Sequence, residues 1–270
     1  MSVGPSLPGA QQVTSLANPK VKSARALHLR KEREETGLFL AEGLKIVLEA
    51  LDLGRTPQTL FYSKDASDHP LLQRAARETL KGRGQVLEVT RDILEKVSRR
   101  DNPQTVVAIF EQRFTPLDAI DPTAATCFVA LEQVRDPGNL GTIVRTADAA
   151  GCGGVILIGD TVDPFSVEAV RATMGSIFAL PIVRATREQF LEWRKAWPGS
   201  VVGTLLTAET DHLSAPYRRP TLLLMGTEQS GLTPELAAAC DVNVKIPMRG
   251  RADSLNLSVA TGIMIYAITG

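Results

Sequence analysis

The stretch TCFVALEQVRDPGNLGTIVRTADAAGCGGVILIG, residues 126–159, switches its hydrophobic period twice. TCFVALEQV reads as a strand, Leu140 to Ala150 as a helix, and GGVILIG as a strand again. The same alternation runs outward through LPIVRA, SVVGTLLTA, TLLLMG and VNVKIPM, with helical patterns at Val167 to Ile177, Arg187 to Ala196, Pro234 to Cys240 and Ser254 to Ile268. Several strands are too continuously apolar to keep one face wet, which predicts a parallel sheet covered on both sides in an open α/β domain. Ligands of such sheets sit beyond the carboxyl ends of the strands, so the strand-to-loop junctions are the candidate sites.

Upstream, two prolines and several small residues interrupt the periodicity, and a linker is placed at 115–125 between domains at 13–114 and 126–270. The first domain reads as a smaller α/β unit. A helix from Asn18 to about Glu35 precedes GLFLAEG, IVLEALDLG, TLFYS, LLQRAARETLKG, QVLEVT, RDILEKVS and TVVAIFEQ, which alternate strand and helix. Residues 1–12, rich in Gly, Pro, Ser and Gln, read as a disordered tail without the pattern of a signal peptide. No apolar run reaches the roughly 20 residues of a membrane helix, so a soluble protein is expected. Cys127, Cys152 and Cys240 share no metal-ligand or redox-pair spacing, which suits the cytoplasm.

The 270 residues carry 30 basic and 30 acidic side chains, and only the distribution of charge is informative. Residues 1–113 hold 18 Lys and Arg against 14 Asp and Glu, a surplus of 4 that the remainder offsets. Lys20, Lys22, Arg25, Arg30, Lys31 and Arg33 stand together with only Glu32 opposing, either as a solvated helix face or as a patch for nucleic-acid phosphates.

Three junctions gather polar groups. In VALEQVRDPGNLGTIVRTADAAG a strand runs into a helix that Asn139 can cap, and Arg145 follows six residues later. Arg145 is either paired with Glu132 or Asp148, or offers its fork of donors to an anion. In TLLLMGTEQSGLTPEL, Gly226 and Gly231 frame a tight polar loop containing Glu228, with Thr233 and Pro234 as cap and first turn of the next helix. In VNVKIPMRGRADSLNLSVATGIMIY, Ser254 or Asp253 can cap the last helix, while Asn256 and Ser258 are poor helix-interior residues and call for another role. A phosphate-binding GxxxxGK[ST] loop is absent, Gly151–Gly154 follows a helix instead of a strand, and His28, His69 and His212 have no spaced partners. Metal and His-based hydrolytic sites are therefore not expected.

Taken in order, NLGTIVRTA (139–147), LLLMGTEQSGL (222–232) and IPMRGRADSLNLSVATGIMIY (246–266) resemble the three motifs of the SpoU (TrmH-type) RNA 2′-O-methyltransferases of the SPOUT superfamily. NPKVKSARALHLRKEREETGLFLAEG and NPQTVVAIF are similar to the start and end of that family's accessory RNA-recognition domain. The resemblance implies a C-terminal SPOUT domain with a parallel sheet and a deep trefoil knot. It also implies S-adenosylmethionine as cofactor, held around Leu224, Gly226, Ile246, Met248 and Leu255. Asn139, Arg145, Glu228, Ser254 and Asn256 match the family's polar active-site positions, with the counterpart of Arg145 assisting deprotonation of the ribose hydroxyl. The implied partners are RNA, rRNA before tRNA, and a second copy of the chain, since family active sites form at a dimer interface. Thr227 stands where Asn or Ser is common. A protein that keeps this fold and binds RNA or ribosomes without catalysis is the alternative.

Overall fold

The computed structural model describes residues 6–227 and 229–270. The chain divides into two units: one reaches to Gln112 and includes Phe165–Ala179, and the other comprises Arg113–Pro164 and Leu180–Gly270.

The first unit holds β1 (Gln11–Val13), α1 (Pro19–Ala26), α2 (Arg30–Thr36), β2 (Leu38–Glu42), α3 (Leu44–Asp52), β3 (Thr59–Ser63), α4 (Pro70–Lys81), β4 (Gln85–Val89), α5 (Arg91–Ser98) and β5 (Val106–Glu111). Its sheet runs β1-β4-β3-β5-β2, with the first three strands parallel and β5 antiparallel to both its neighbours. Two expectations change here. The single helix read over Asn18–Glu35 is two helices, because the backbone turns extended at Leu29 and Leu27 enters the core. Part of the tail is ordered: Leu7 is buried, its N–H donates to the Tyr62 hydroxyl at 3.1 Å, and Gln11–Val13 pair with β4. Low apolar content does not stop a segment from joining a sheet edge whose backbone groups lack partners. Burial, and the hydrogen bond to the Glu88 carboxylate against the opposing Leu7 amide, push the Tyr62 phenol up to about 12. Met1 to Pro5 lie outside the described residues.

In the second unit β6 (Cys127–Glu132), α6 (Pro137–Ala149) and β7 (Val155–Ile158) come first. The chain next supplies α7 (Val167–Thr173), which belongs to the first unit. It continues with β8 (Ile182–Ala185), α8 (Arg187–Trp193), β9 (Val201–Thr204), β10 (Thr210–Asp211), β11 (Thr221–Met225), α9 (Pro234–Ala238), β12 (Val242–Lys245) and α10 (Leu257–Thr269). The sheet order is β10-β12-β9-β11-β6-β7-β8, and all its strand pairings among the described residues are parallel. β6, β7 and β11 are buried at every position, which is the two-sided burial their unbroken apolar runs predict. Phe128, Ile156, Phe190, Leu222 and Leu236 knit one core, where truncating a ring such as Phe128 costs about 3–5 kcal/mol. Because β11 inserts between β6 and β9, the direction of sheet building reverses there, and a crevice opens at the carboxyl ends of the strands. No helix among the described residues is long and apolar enough to cross a membrane.

Candidate active site

β11 delivers Gly226 to its carboxyl end, where a Cβ would lie 1.9 Å from the Gly231 carbonyl carbon. Only glycine permits that approach. The loop then closes on itself: the Thr227 N–H donates to Gly231 O at 3.0 Å and the Gly231 N–H to Thr227 O at 3.1 Å, with Gly231 at φ +69°. Inside it, the Thr227 hydroxyl lies 2.8 Å from the Ser230 hydroxyl and accepts from the Ser230 N–H. Glu228 lies outside the described residues.

The third motif leaves β12 through half-buried Ile246, Pro247 and Met248 and an exposed loop to Leu255. The cap of α10 is neither Ser254 nor Asp253. Asn256 takes that place, its Oδ1 accepting from the N–H groups of Ser258 (2.9 Å) and Val259 (3.3 Å) and from the Ser258 hydroxyl (2.6 Å). Three donors on Oδ1 leave Nδ2 facing away, and it donates to Asn139 Oδ1 at 2.9 Å. Asn139 is not a cap either: α6 starts one turn earlier, capped by Asp136, whose Oδ1 accepts the Asn139 N–H at 2.6 Å. The pair Asn139–Asn256 thus joins the first and third motifs.

Arg145 occupies the exposed side of α6 with Thr142 and Ala149, opposite buried Leu140, Ile143, Val144 and Ala147. Among the described residues it has no ion-pair partner. Pairing with Glu132 is excluded because Glu132 is committed elsewhere: fully buried, it accepts from Arg187 Nη2 at 3.0 Å and from the Thr233 N–H at 2.8 Å. A buried carboxylate needs such partners, and here they tie the end of β6 to α8 and to the start of α9.

Where β9, β11 and β12 end, a cleft of about 420 Å³ opens. Leu205, Ile246, Met248, Leu255 and Leu257 supply apolar walls, and Thr204, Thr207, Ser230, Asp253 and Ser254 supply polar groups. Of the expected cofactor positions, Gly226, Ile246, Met248 and Leu255 line it. Leu224 does not, being fully buried in the core one residue before the strand ends. Ser254 lines the cleft, whereas Asn139, Arg145 and Asn256 stand outside its wall. The stretch Thr204–Thr207 escaped the sequence reading; its signal was a run of threonines and leucines at a strand terminus. On the first unit, Lys20, Lys22, Arg25, Arg30 and Lys31 are exposed, with Arg30 and Lys31 paired to Glu34 and Glu35. Arg33 differs, being 4% exposed with Nη1 donating to Leu27 O at 2.7 Å, where it satisfies a carbonyl at the end of α1.

A model described as the SpoU rRNA Methylase family matches residues 126–266, and one described as an MRM3-like substrate binding domain matches residues 18–108. A 23S rRNA (guanosine(2553)-2′-O)-methyltransferase of Bacillus subtilis is 32% identical over 260 residues, spanning 96% of this chain and 100% of the relative. The crystal structure of an AdoMet-bound rRNA methyltransferase from Sinorhizobium meliloti is 52% identical with a TM-score of 0.90, over 96% of this chain and 97% of its own. The SpoU methyltransferase AviRb from Streptomyces viridochromogenes aligns with a TM-score of 0.82 at 32% identity, over 93% and 96%.

Proposed function

The chain belongs to the SpoU rRNA methylase family, and we propose that it transfers a methyl group from S-adenosylmethionine to a ribose 2′-hydroxyl of ribosomal RNA. The observation that carries this reading is the cleft at the ends of β9, β11 and β12, walled by the glycine-closed loop and by the Ile246–Leu257 segment that the Asn139–Asn256 pair secures. The cleft's volume suits a small cofactor, and its mixture of apolar walls and hydroxyls suits an adenine ring joined to a polar ribose and amino-acid tail. Leu205, Ile246, Met248 and Leu255 would flank the base, and Thr204, Thr207, Ser230 and backbone groups at Gly226 would hold polar parts. When bound, the cofactor supplies an electrophilic methyl on its sulfonium.

Arg145 then acts on the RNA. Its guanidinium keeps its protons too tightly to act as a base, so it anchors a phosphate beside the target ribose and stabilises negative charge growing on the 2′-oxygen. The hydroxyl proton leaves to a phosphate oxygen or to water. Ser254, Asn256 and Glu228 complete the polar surround. We further infer a homodimer, because α10 exposes Val259 (51%), Ile263 (37%) and Tyr266 (56%) on one face. That face supports an interface at which each copy lends groups to the other's site. The trefoil knot belongs to the same proposal, with the β12–α10 segment threaded past the loops at Thr204–Thr207 and Gly226–Gly231. Residues 13–114 act as the RNA-recognition domain, using Lys20, Lys22, Arg25, Arg30 and Lys31, in the cytoplasm.

Calorimetry with S-adenosylmethionine tests the cofactor, and mapping ribose methylation in total RNA with and without the gene tests the reaction. One methylated ribose disappearing from rRNA is the expected result. A chain that binds RNA without binding S-adenosylmethionine at millimolar ligand would instead be the non-catalytic relative.

A further inference from the structure

A second recess, of about 420 Å³, lies wholly within the first unit. Its walls come from three places in the chain: His28 and Arg33 around α2, Ser98 to Arg100 at the end of α5, and Ser166 to Arg171 at the start of α7. Four guanidinium groups, those of Arg33, Arg99, Arg100 and Arg171, border it against one lining carboxylate, Glu168. A second acid, Glu42, sits behind, its Oε2 accepting from Arg171 Nη2 at 2.9 Å while its Oε1 is buried without a hydrogen-bond partner among the described residues.

Two donors there are buried and unsatisfied. Ser98 is 2% exposed and its Oγ has no hydrogen-bond partner among the described residues, and neither has Arg171 Nε. A buried hydroxyl or guanidinium nitrogen left unpaired costs free energy that folding alone does not return, so such donors mark places where a ligand supplies the acceptors. His28 adds orientation. Its Nε2 lies 2.7 Å from the Val97 carbonyl, which only accepts, so Nε2 carries the hydrogen and Nδ1 remains for a second interaction.

We infer that this recess binds a backbone phosphate of the RNA substrate. The ligand must present several acceptor oxygens and negative charge to a set that consists almost entirely of donors. A phosphodiester does both, and guanidinium forks match its oxygens in pairs. The recess is separate from the exposed run Lys20–Lys31, whose charges face water and, at Arg30 and Lys31, are already paired with glutamates. It holds the RNA at one fixed point, which sets register and carries no base information. The inference rests on reading the chain as an rRNA 2′-O-methyltransferase.

Two variants leave the fold intact. Arg99 adopts φ +54° as the left-handed cap of α5, so Arg99→Gly removes the guanidinium while relieving the backbone. Ser98→Ala removes a hydroxyl that has no hydrogen-bond partner among the described residues. Lys96→Gln, on an exposed turn of α5 outside the recess, is the matched loss of one charge. Filter binding of deproteinised 23S rRNA across a salt series reads the outcome, with calorimetry of S-adenosylmethionine alongside. Arg99→Gly is expected to weaken rRNA binding about tenfold and to lower the salt slope by about one, with Ser98→Ala weaker by a few fold and Lys96→Gln near wild type. Cofactor affinity stays unchanged in all three. Arg99→Gly and Ser98→Ala chains that bind rRNA like Lys96→Gln, with the wild-type slope, would overturn the inference, as would a wild-type chain that binds S-adenosylmethionine but not rRNA. Absence of cofactor binding in the wild type would instead strike the methyltransferase reading.

Discussion

Asn256 serves two structures at once, and their contributions can be separated. Asn256→Ala removes the cap of α10 and the bond to Asn139, while Asn139→Ala removes the bond and leaves the cap in place. Losing an Asn cap costs about 1 kcal/mol, and a hydrogen bond between neutral amides about 0.5–1.5 kcal/mol, toward the low end here because both residues are exposed. The expected losses are therefore about 1.5–2 kcal/mol for Asn256→Ala and about 0.5–1 kcal/mol for Asn139→Ala. The double variant should resemble Asn256→Ala, giving a coupling of about 0.5–1 kcal/mol. Asn256→Asp keeps the cap, and Asn139 can turn its amide to donate, so this variant stays close to wild type. Urea unfolding followed by tryptophan fluorescence is selective, since the chain's two tryptophans, Trp193 and Trp197, both lie in the second unit. Additive single losses, or an Asn256→Asp chain as unstable as Asn256→Ala, would refute a clasp between the first and third motifs.

Gly226→Ala forces a Cβ onto the Gly231 backbone, which no side-chain rotation relieves. A stability loss of about 1–3 kcal/mol with a collapse of S-adenosylmethionine affinity is expected by thermal melts and calorimetry, and retained affinity would mean the loop does not wall the cofactor site. Arg145→Lys keeps charge but loses the fork, so single-turnover methylation should slow by about 10²-fold at unchanged cofactor affinity; near-normal turnover would remove its fork-specific role. His28 has its pKa lowered from the ordinary value of 6.5 by burial first and by the nearby Arg99 and Arg33, against the Val97 hydrogen bond and Glu42. A depressed histidine favours the folded state above pH 6.5 and gives up that contribution as pH falls below it. In phosphate-free buffer the melting temperature should drop from pH 7 to 5, less steeply in His28→Gln; identical slopes would show that His28 titrates freely.

Strands β6, β7 and β11 were legible because burial on both faces leaves an unbroken apolar run, a property each window of sequence contains, whereas the two-residue β10 left no such run. The Gly226–Gly231 loop was legible for a similar reason, since both partners of the close approach lie within six residues. Other features depend on partners far along the chain. Asp253, Ser254 and Asn256 are all acceptable helix caps by local chemistry, and what decides among them is Asn139, 117 positions away. Thr204–Thr207 reaches the cleft only because β11 and β12 flank β9 in the sheet. α7 lies between two strands of the second unit in sequence, yet Val167 packs into the first unit's core.

Charge follows the same logic, with a consequence for where RNA is held. The densest basic run, Lys20–Arg33, is conspicuous in sequence, but one member is buried on a carbonyl and two are paired with glutamates a turn away. Such exposed pairs are worth only about 0.3–0.5 kcal/mol, and exposed charge attracts phosphate without fixing its position. The recess assembled from residues 28–33, 98–100 and 166–171 is inconspicuous in any window. What distinguishes it is desolvation at two donors: Ser98 Oγ and Arg171 Nε are buried without acceptors, so a phosphate entering faces less competition for them. Unsatisfied buried donors, more than linear charge density, are thus the better guide to where the first unit grips its RNA.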